Sequence, residues 1–338
     1  MTSPTINIGI NGFGRIGRSL LRLLLNHPNV RVKRINDLAD IGTMAHLLKY
    51  DSVHGVLHKN ISAKAQAIHI DDLEIAYSSH SKLEDLDWEG IDIVVECTGI
   101  FKTKQDLEKH LKAGAKKVIL SVPPLEEDIK TIVLGVNSEQ IKAEDRILSN
   151  ASCTTNNAAP ILAVVQKLCG IEQAYISTVH SYTTDQNLHD QPHKDLRRAR
   201  AAGQSIIPTT TGAAKALTKI FPELEGAIGG CGIRVPVPNG SLSDITLNIT
   251  NPKSVEEVNA AFKEASQSYL KGILEYTEDP IVSIDIINNP HSCIYDSQMT
   301  SIIDKKMLKI IAWYDNEYGY SSRLIDLVYK IHELGYTS

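Results

Sequence analysis

Cys153 stands in the run Ser149-Asn150-Ala151-Ser152-Cys153-Thr154-Thr155-Asn156-Asn157, among small polar residues. A structural thiol is usually surrounded by hydrophobes instead. Apolar positions at Ala158, Ile161, Leu162, Val165 and Leu168 follow at helical spacing, which predicts Cys153 at a helix N-terminus. Pro160 predicts a kink or a distorted early turn there. The positive potential of a helix start favours the thiolate, which is the nucleophilic form of cysteine. His180 ends the β-rich run Ala174–His180 and opens His-Ser-Tyr-Thr. It reads either as a hydrogen-bonded core residue or as the general base of an activated cysteine, and the sequence leaves their contact undetermined.

A second chemical signal lies near the start. Gly12-Phe13-Gly14-Arg15-Ile16-Gly17 fits G-x-G-x-x-G between a predicted strand, Ile6–Ile10, and a helical face formed by Ile16, Leu20, Leu23 and Leu24. In that setting Gly12 makes the tight turn, Gly14 admits a pyrophosphate, and Gly17 lets helix and strand pack closely. Free N–H groups at the helix start then face the anion. Asp37, at the end of a second predicted strand (Val30–Asn36), suits an adenosine ribose 2′-hydroxyl. Its charge would repel a 2′-phosphate, so the expected cofactor is NAD.

These residues need elements to hold them. Further strands are expected at Ile68–Tyr77 (a hairpin turning at Asp71-Asp72), Ile91–Cys97, Lys117–Leu120 and Ile132–Val136, with a helix over Gln105–Lys112. Strand–helix alternation predicts a doubly wound parallel sheet, an α/β Rossmann unit. After residue 150 the texture changes. Strands at Ala174–His180, Ile233–Ile249, Ile281–Asp285 and Met307–Tyr314, with one helix over Val255–Tyr269, suit an α+β unit with a mostly antiparallel sheet. Residues between His180 and Pro208 are polar and aperiodic, and a loop of that length is more often functional than idle. The chain closes on Leu324, Leu327, Val328, Ile331 and Leu334 at helical spacing, with Gly335 as C-cap.

Composition bounds the partners. The chain has 338 residues, a length that favours two domains, and a net charge of −5 that gives no reason to expect nucleic acid or a membrane. Five scattered cysteines (97, 153, 169, 231, 293) show no CxxC pair, which argues against a zinc site or a disulfide framework and for a reducing, cytoplasmic setting. No export signal and no apolar run long enough to span a bilayer is read from the sequence.

The motifs together resemble phosphorylating glyceraldehyde-3-phosphate dehydrogenase along nearly the whole chain. They are INGFGRIGR (10–18), IND (35–37), KYDSVHG (49–55), ECTG (96–99), SNASCTTN (149–156), HSYT (180–183), HKDLRRARAA (193–202), PTTTGAAK (208–215), RVPVPN (234–239), TEDPIVS (277–283) and WYDNEYGYS (313–321). The resemblance implies an NAD domain over 1–150 completed by 318–338, a catalytic domain over 151–317, and a homotetramer whose 181–207 loop lies near a neighbouring subunit's cofactor. It implies Cys153 as nucleophile and His180 as general base, passing through a hemithioacetal and a thioester that inorganic phosphate displaces. Cofactor contacts are implied for Gly12, Phe13, Gly14, Arg15, Ile16, Asp37, Thr98, Gly99, Ser121, Pro192, Asn316 and Tyr320. Ser152, Thr154, Thr211 and Gly212 resemble the inorganic-phosphate site, while Thr183 and Arg234 resemble the site for the substrate's own phosphate.

Four positions depart from the family's common pattern: Asn157 where a second cysteine is frequent, Gln191 before Pro192, Gly240 after Pro-Asn, and Tyr318 for a tryptophan. Asn157 cannot pair with Cys153, so oxidation is expected to leave sulfenic or mixed-disulfide forms of Cys153. Two other readings remain. Erythrose-4-phosphate dehydrogenase shares the fold and nucleophile, but typically lacks the HSYT and TGAAK versions of the phosphate sites. A non-enzymatic redox-sensing or RNA-binding module would rest on a reactive cysteine and the basic segment Lys194–Arg200.

Overall fold

The computed structural model describes residues 5–335, which divide into two compact units. One holds the chain up to Ile132, Glu139–Ala151 and the residues from Ser321 on; the other holds Val133–Ser138 and Ser152–Tyr320.

The first unit is built on a nine-stranded sheet. Its order is Lys130–Thr131, Ile147–Ser149, Lys117–Leu120, Ile93–Glu96, Ile6–Asn11, Val30–Asn36, Leu73–Ser78, Ala67–Ile70 and Ile61–Lys64. The first seven run parallel; Ala67–Ile70 pairs antiparallel with Leu73–Ser78, and Ile61–Lys64 pairs antiparallel with Ala67–Ile70. Central strands such as Ile93–Glu96 and Lys117–Leu120 are buried at every position, as a sheet covered on both faces requires. The 68–77 hairpin turns at Asp71-Asp72 as expected, with Ile70 opposite Leu73 and Asp71 at φ 49°. Apolar ridges of helices Arg15–Leu24 and Lys104–Lys112 pack toward the sheet through Leu20, Leu24 and Leu107.

The second unit carries a seven-stranded sheet in the order Ile207–Thr209, Ile228–Val235, Ile171–Ser181, Ser241–Ile249, Met307–Tyr314, Cys293–Ile303 and Leu274–Thr277. Four of its six pairings are antiparallel. Helix Cys153–Cys169 covers one face, burying Ala158, Ile161, Leu162 and Val165, and it runs through Pro160 without interruption. Ser152 caps it, its Oγ accepting from Thr155 N at 3.1 Å.

Two expected strands are not strands. Residues 132–136 turn back on themselves: Val136 N and Asn137 N donate to Val133 O, and Val133 N donates to Asn137 Oδ1 at 2.7 Å. Gly135 packs against the Ile273 and Leu270 side chains, so 133–138 belong with the second unit rather than with 1–150. Residues 318–320 likewise fall with the second unit. At 281–285 the backbone bonds locally and Val282 N donates to Asp285 Oδ2, while Val282 and Ile284 point outward. An apolar run needs a pairing partner as well as hydrophobicity to be a strand, and periodicity alone does not report one. Strand Cys293–Ile303 was missed for the converse reason, its polar Asp296, Ser297 and Gln298 masking the pattern.

No helix among the described residues is long and apolar enough to cross a membrane. No group of three or more His, Cys, Asp or Glu side chains among them could hold a metal ion.

Candidate active site

Three secondary elements of the second unit converge on one thiol. Cys153 opens its helix, His180 lies near the end of strand Ile171–Ser181, and Arg234 lies opposite His180 on the neighbouring parallel strand. Cys153 Sγ is 3.4 Å from His180 Nε2. On the far side of the ring, Nδ1 is 2.7 Å from the Ser181 carbonyl oxygen, and Arg234 Nη1 donates to that same oxygen at 2.9 Å. Arg234 Nη1 also lies 2.8 Å from Nδ1; with hydrogen on Nδ1 given to Ser181 O, and Arg234 donating to Ser181 O rather than to the ring, Nε2 is left to accept a proton from sulfur.

The electrostatics differ from the sequence expectation. Burial pushes the Cys153 thiol up, against Arg234, Thr154 and the helix-start N–H groups, which pull it down. Burial and then the Arg234 charge hold His180 down to about 3, against a weaker raising influence from Ser181. Burial thus works against the thiolate at Cys153 and against the imidazolium at His180.

Sequence reasoning missed two residues that shape this arrangement. Tyr314, 1% exposed, bridges Thr154 Oγ1 (3.0 Å) and Thr178 Oγ1 (2.8 Å), and its ring sits edge-on to His180. It thus ties the first turn of the nucleophile's helix to the strand of the base. Arg198 donates from Nε to Thr209 Oγ1 at 2.9 Å and pairs with Asp185. Its charge is felt at Arg234, so two guanidinium groups share one neighbourhood, as an anion site requires. Its bond to Thr209 and its charge at Arg234 single Arg198 out from Lys194, Arg197 and Arg200.

The expected phosphate donors divide. Gly212 precedes helix Ala213–Ile220 with open space around it, and Thr211 Oγ1 accepts from Ala213 N at 3.3 Å. Thr183 starts a turn in which its N–H donates to Gln186 Oε1. Ser152 Oγ is engaged as the helix cap and lies 2.8 Å from Thr155 Oγ1. Thr154 is the exception: it is 4% exposed and turns its hydroxyl inward to Tyr314, because that bond satisfies a buried phenol.

Asn157 is fully buried, and its Nδ2 donates to Ser292 O (3.3 Å) and Trp313 O (3.2 Å). The amide thus replaces a thiol by a tie between helix and sheet. Mild peroxide is expected to give sulfenic or mixed-disulfide Cys153. Mass spectrometry showing Cys153 cross-linked within its own chain would contradict this.

In the first unit the fingerprint has the geometry its mechanism needs. Gly12 sits at φ 90°, where an added Cβ would lie 2.6 Å from Thr98 N; one on Gly17 would run into Gly12 O. Around Gly14 there is open space, and helix Arg15–Leu24 begins with no side-chain cap, leaving its start to an anion. Asp37 accepts from Phe13 N (2.6 Å) and Ala39 N (2.9 Å), which aligns its carboxylate with the turn. Phe13 contributes backbone only, its ring being wholly buried. Arg15 is committed to Asp51, with contacts at 2.6 and 3.2 Å, so its guanidinium is a brace for the 51–54 turn. Ile16 is half-buried on the same helix. Thr98, Gly99 and Ser121 follow the ends of neighbouring strands.

In the second unit, Asn316 Oδ1 accepts from Ser181 Oγ and Ser241 Oγ, both at 2.8 Å. Tyr320 is buried in the first turn of helix Tyr318–Leu334. Pro192 lies on the irregular 182–206 loop, which is braced by Gln191 N to Ala199 O and Asn187 Nδ2 to Gln191 O. Gly240, at φ 89°, approaches Ser283 O too closely for any side chain, which accounts for glycine there.

A parallel sheet with a glycine-rich turn in one unit and a thiol–imidazole pair in the other is the architecture of a nucleotide-dependent dehydrogenase. Residues 6–104 match the NAD binding domain of glyceraldehyde 3-phosphate dehydrogenase, and residues 152–316 match its C-terminal domain. The chain is 50% identical to glyceraldehyde-3-phosphate dehydrogenase of Geobacillus stearothermophilus, over 98% of this chain and 99% of the relative. It is also 50% identical to glyceraldehyde-3-phosphate dehydrogenase 2 of Streptomyces avermitilis, over 96% and 97% respectively. Against glyceraldehyde-3-phosphate dehydrogenase 1 of Bacillus subtilis it is 49% identical, over 98% and 99%. The chain belongs to the glyceraldehyde-3-phosphate dehydrogenase family.

Proposed function

We propose that this chain oxidises and phosphorylates glyceraldehyde 3-phosphate to 1,3-bisphosphoglycerate with NAD, in the cytoplasm and as a homotetramer. The observation that carries the reading is the Cys153–His180 contact of 3.4 Å beside Arg234. Cys153 sulfur attacks the aldehyde carbon while its proton passes through His180 Nε2 to the developing alkoxide, giving a hemithioacetal. NAD, when bound, supplies the acceptor for the hydride that leaves this carbon. His180 takes the hydroxyl proton in that step, and a thioester to Cys153 remains. Inorganic phosphate then attacks the thioester carbon, the C–S bond breaks, and His180 returns its proton to sulfur. The N–H of Cys153 and the His180 ring are suited to hold the oxyanion.

Arg234 links binding to basicity. In the free protein its charge helps depress His180. A substrate phosphate beside it would offset that charge and raise the base when substrate is present. The donors at Ser152, Thr211, Gly212 and Thr183, with Arg198 and Arg234, suit the two phosphate groups; Thr154 would serve through its backbone.

Assembly is supported by the sheet of the second unit. Ile233, Val179, Leu242 and Trp313 form one cross-strand row of half-buried apolar side chains on the face away from its helices. The basic segment offers little to nucleic acid, since Arg198 and Arg200 are paired with Asp185 and Asp190.

The test is spectrophotometric. NAD reduction with glyceraldehyde 3-phosphate is expected and should require inorganic phosphate. Faster turnover of erythrose 4-phosphate would overturn the substrate, and no turnover of either would overturn the enzymatic reading.

A further inference from the structure

Glu96 ends the central strand Ile93–Glu96 and is 0% exposed, with no part in the chemistry at Cys153. A buried carboxyl group is costly unless donors surround it, and here four are supplied. Oε2 accepts from Asn11 Nδ2 at 2.6 Å and lies 3.1 Å from His110 Nε2. Oε1 accepts from Thr98 N at 2.7 Å and Thr98 Oγ1 at 2.5 Å.

The direction of the His110 bond is fixed from behind. Trp88 Nε1 lies 3.0 Å from His110 Nδ1, and an indole nitrogen can only donate. His110 Nδ1 is therefore the acceptor, and in the neutral ring Nε2 carries the hydrogen and gives it to Glu96.

The ties through Asn11 and Thr98 lead toward the cofactor site. Asn11 precedes Gly12, whose turn lies against Thr98 N. Thr98 Oγ1 in turn accepts from Ile100 N at 3.1 Å, closing the 98–100 turn around Gly99. The main-chain oxygen of Glu96 accepts from Ser121 N (3.0 Å) and Ser121 Oγ (2.8 Å). The fingerprint turn, the Thr98–Gly99 turn and Ser121 thus share one hidden anchor.

We infer that Glu96, oriented by His110, is a positioning residue for NAD: it sets the mutual placement of the two cofactor-facing turns without touching the cofactor. This rests on reading the first unit as the NAD site. Glu96→Gln preserves shape but places an amide NH₂ against donors in either orientation. NAD affinity measured by calorimetry should fall at least about tenfold, while alkylation of Cys153 by iodoacetamide without NAD should keep its rate. A matched pair covers the case in which that variant does not fold. His110→Gln keeps a donor for Glu96 and should bind NAD within about twofold of the unaltered protein; His110→Leu removes it and should bind at least about fivefold more weakly.

Unchanged NAD affinity in Glu96→Gln would overturn the inference, as would equal affinities for the two His110 variants. If the unaltered protein itself binds no NAD, the underlying reading of the unit fails first.

Discussion

Cys153→Ser is expected to reduce phosphate-dependent NAD reduction by about 10⁴-fold or more, leaving NAD binding and thermal stability close to those of the unaltered protein. The proposed reaction asks the same atom to attack a carbonyl and later to leave from an acyl group. Sulfur does both. A serine hydroxyl is a poorer nucleophile, and its ester would resist displacement by phosphate. Nothing in the geometry compensates: His180 is held down to about 3 by burial and Arg234, which makes it too weak a base for an alcohol before substrate arrives. Cys153 is only partly buried at the helix start, so exchange of sulfur for oxygen should disturb packing little. Initial rates measured beside calorimetric NAD affinity decide the matter. A variant retaining more than about one hundredth of the activity would remove Cys153 from the nucleophile's role.

His180→Asn should lower turnover by about 10²- to 10⁴-fold, the usual range for loss of a general base. A second consequence concerns pH. An unfolded chain protonates a histidine near pH 6.5, whereas native His180 resists protonation until about pH 3, chiefly through burial and then through Arg234. Between those values the unfolded chain binds the extra proton, so folding stability is lost as pH falls through the window. Above pH 6.5 both states are neutral, and the residue makes no pH-dependent contribution. The cost is about 1.4 kcal/mol for each pH unit inside the window. His180→Gln, which cannot titrate, should therefore show a shallower loss of stability between pH 6.5 and pH 4.5 in urea titrations. Identical acid profiles for variant and unaltered protein would mean that His180 titrates normally in the fold.

Local patterns survived folding best. Val30–Asn36, Lys117–Leu120 and Met307–Tyr314 are strands with the expected limits, because alternation and β-branching act within a few residues. The 132–136 run failed the same reasoning: a side-chain bond from Asn137 and packing on Ile273 outweigh its apolar content. Strand Cys293–Ile303 stayed hidden because its pairing with Met307–Tyr314 holds it, not its own composition.

The sequence alone determined which groups could do chemistry. Its glycines define a turn only glycine can make, Asp37 follows the strand that must end beside it, and the apolar spacing after Cys153 announces a helix start; each is a consequence of backbone geometry over a few residues. The tertiary structure decided what those groups experience. His180 meets Cys153 across 27 positions, Tyr314 meets Thr154 across 160, and Glu96 meets Asn11 across 85. Desolvation and the Arg234 charge act through space, so the Cys153–His180 contact, the inward turn of Thr154 and the place of Arg198 became visible only when distant strands lay side by side.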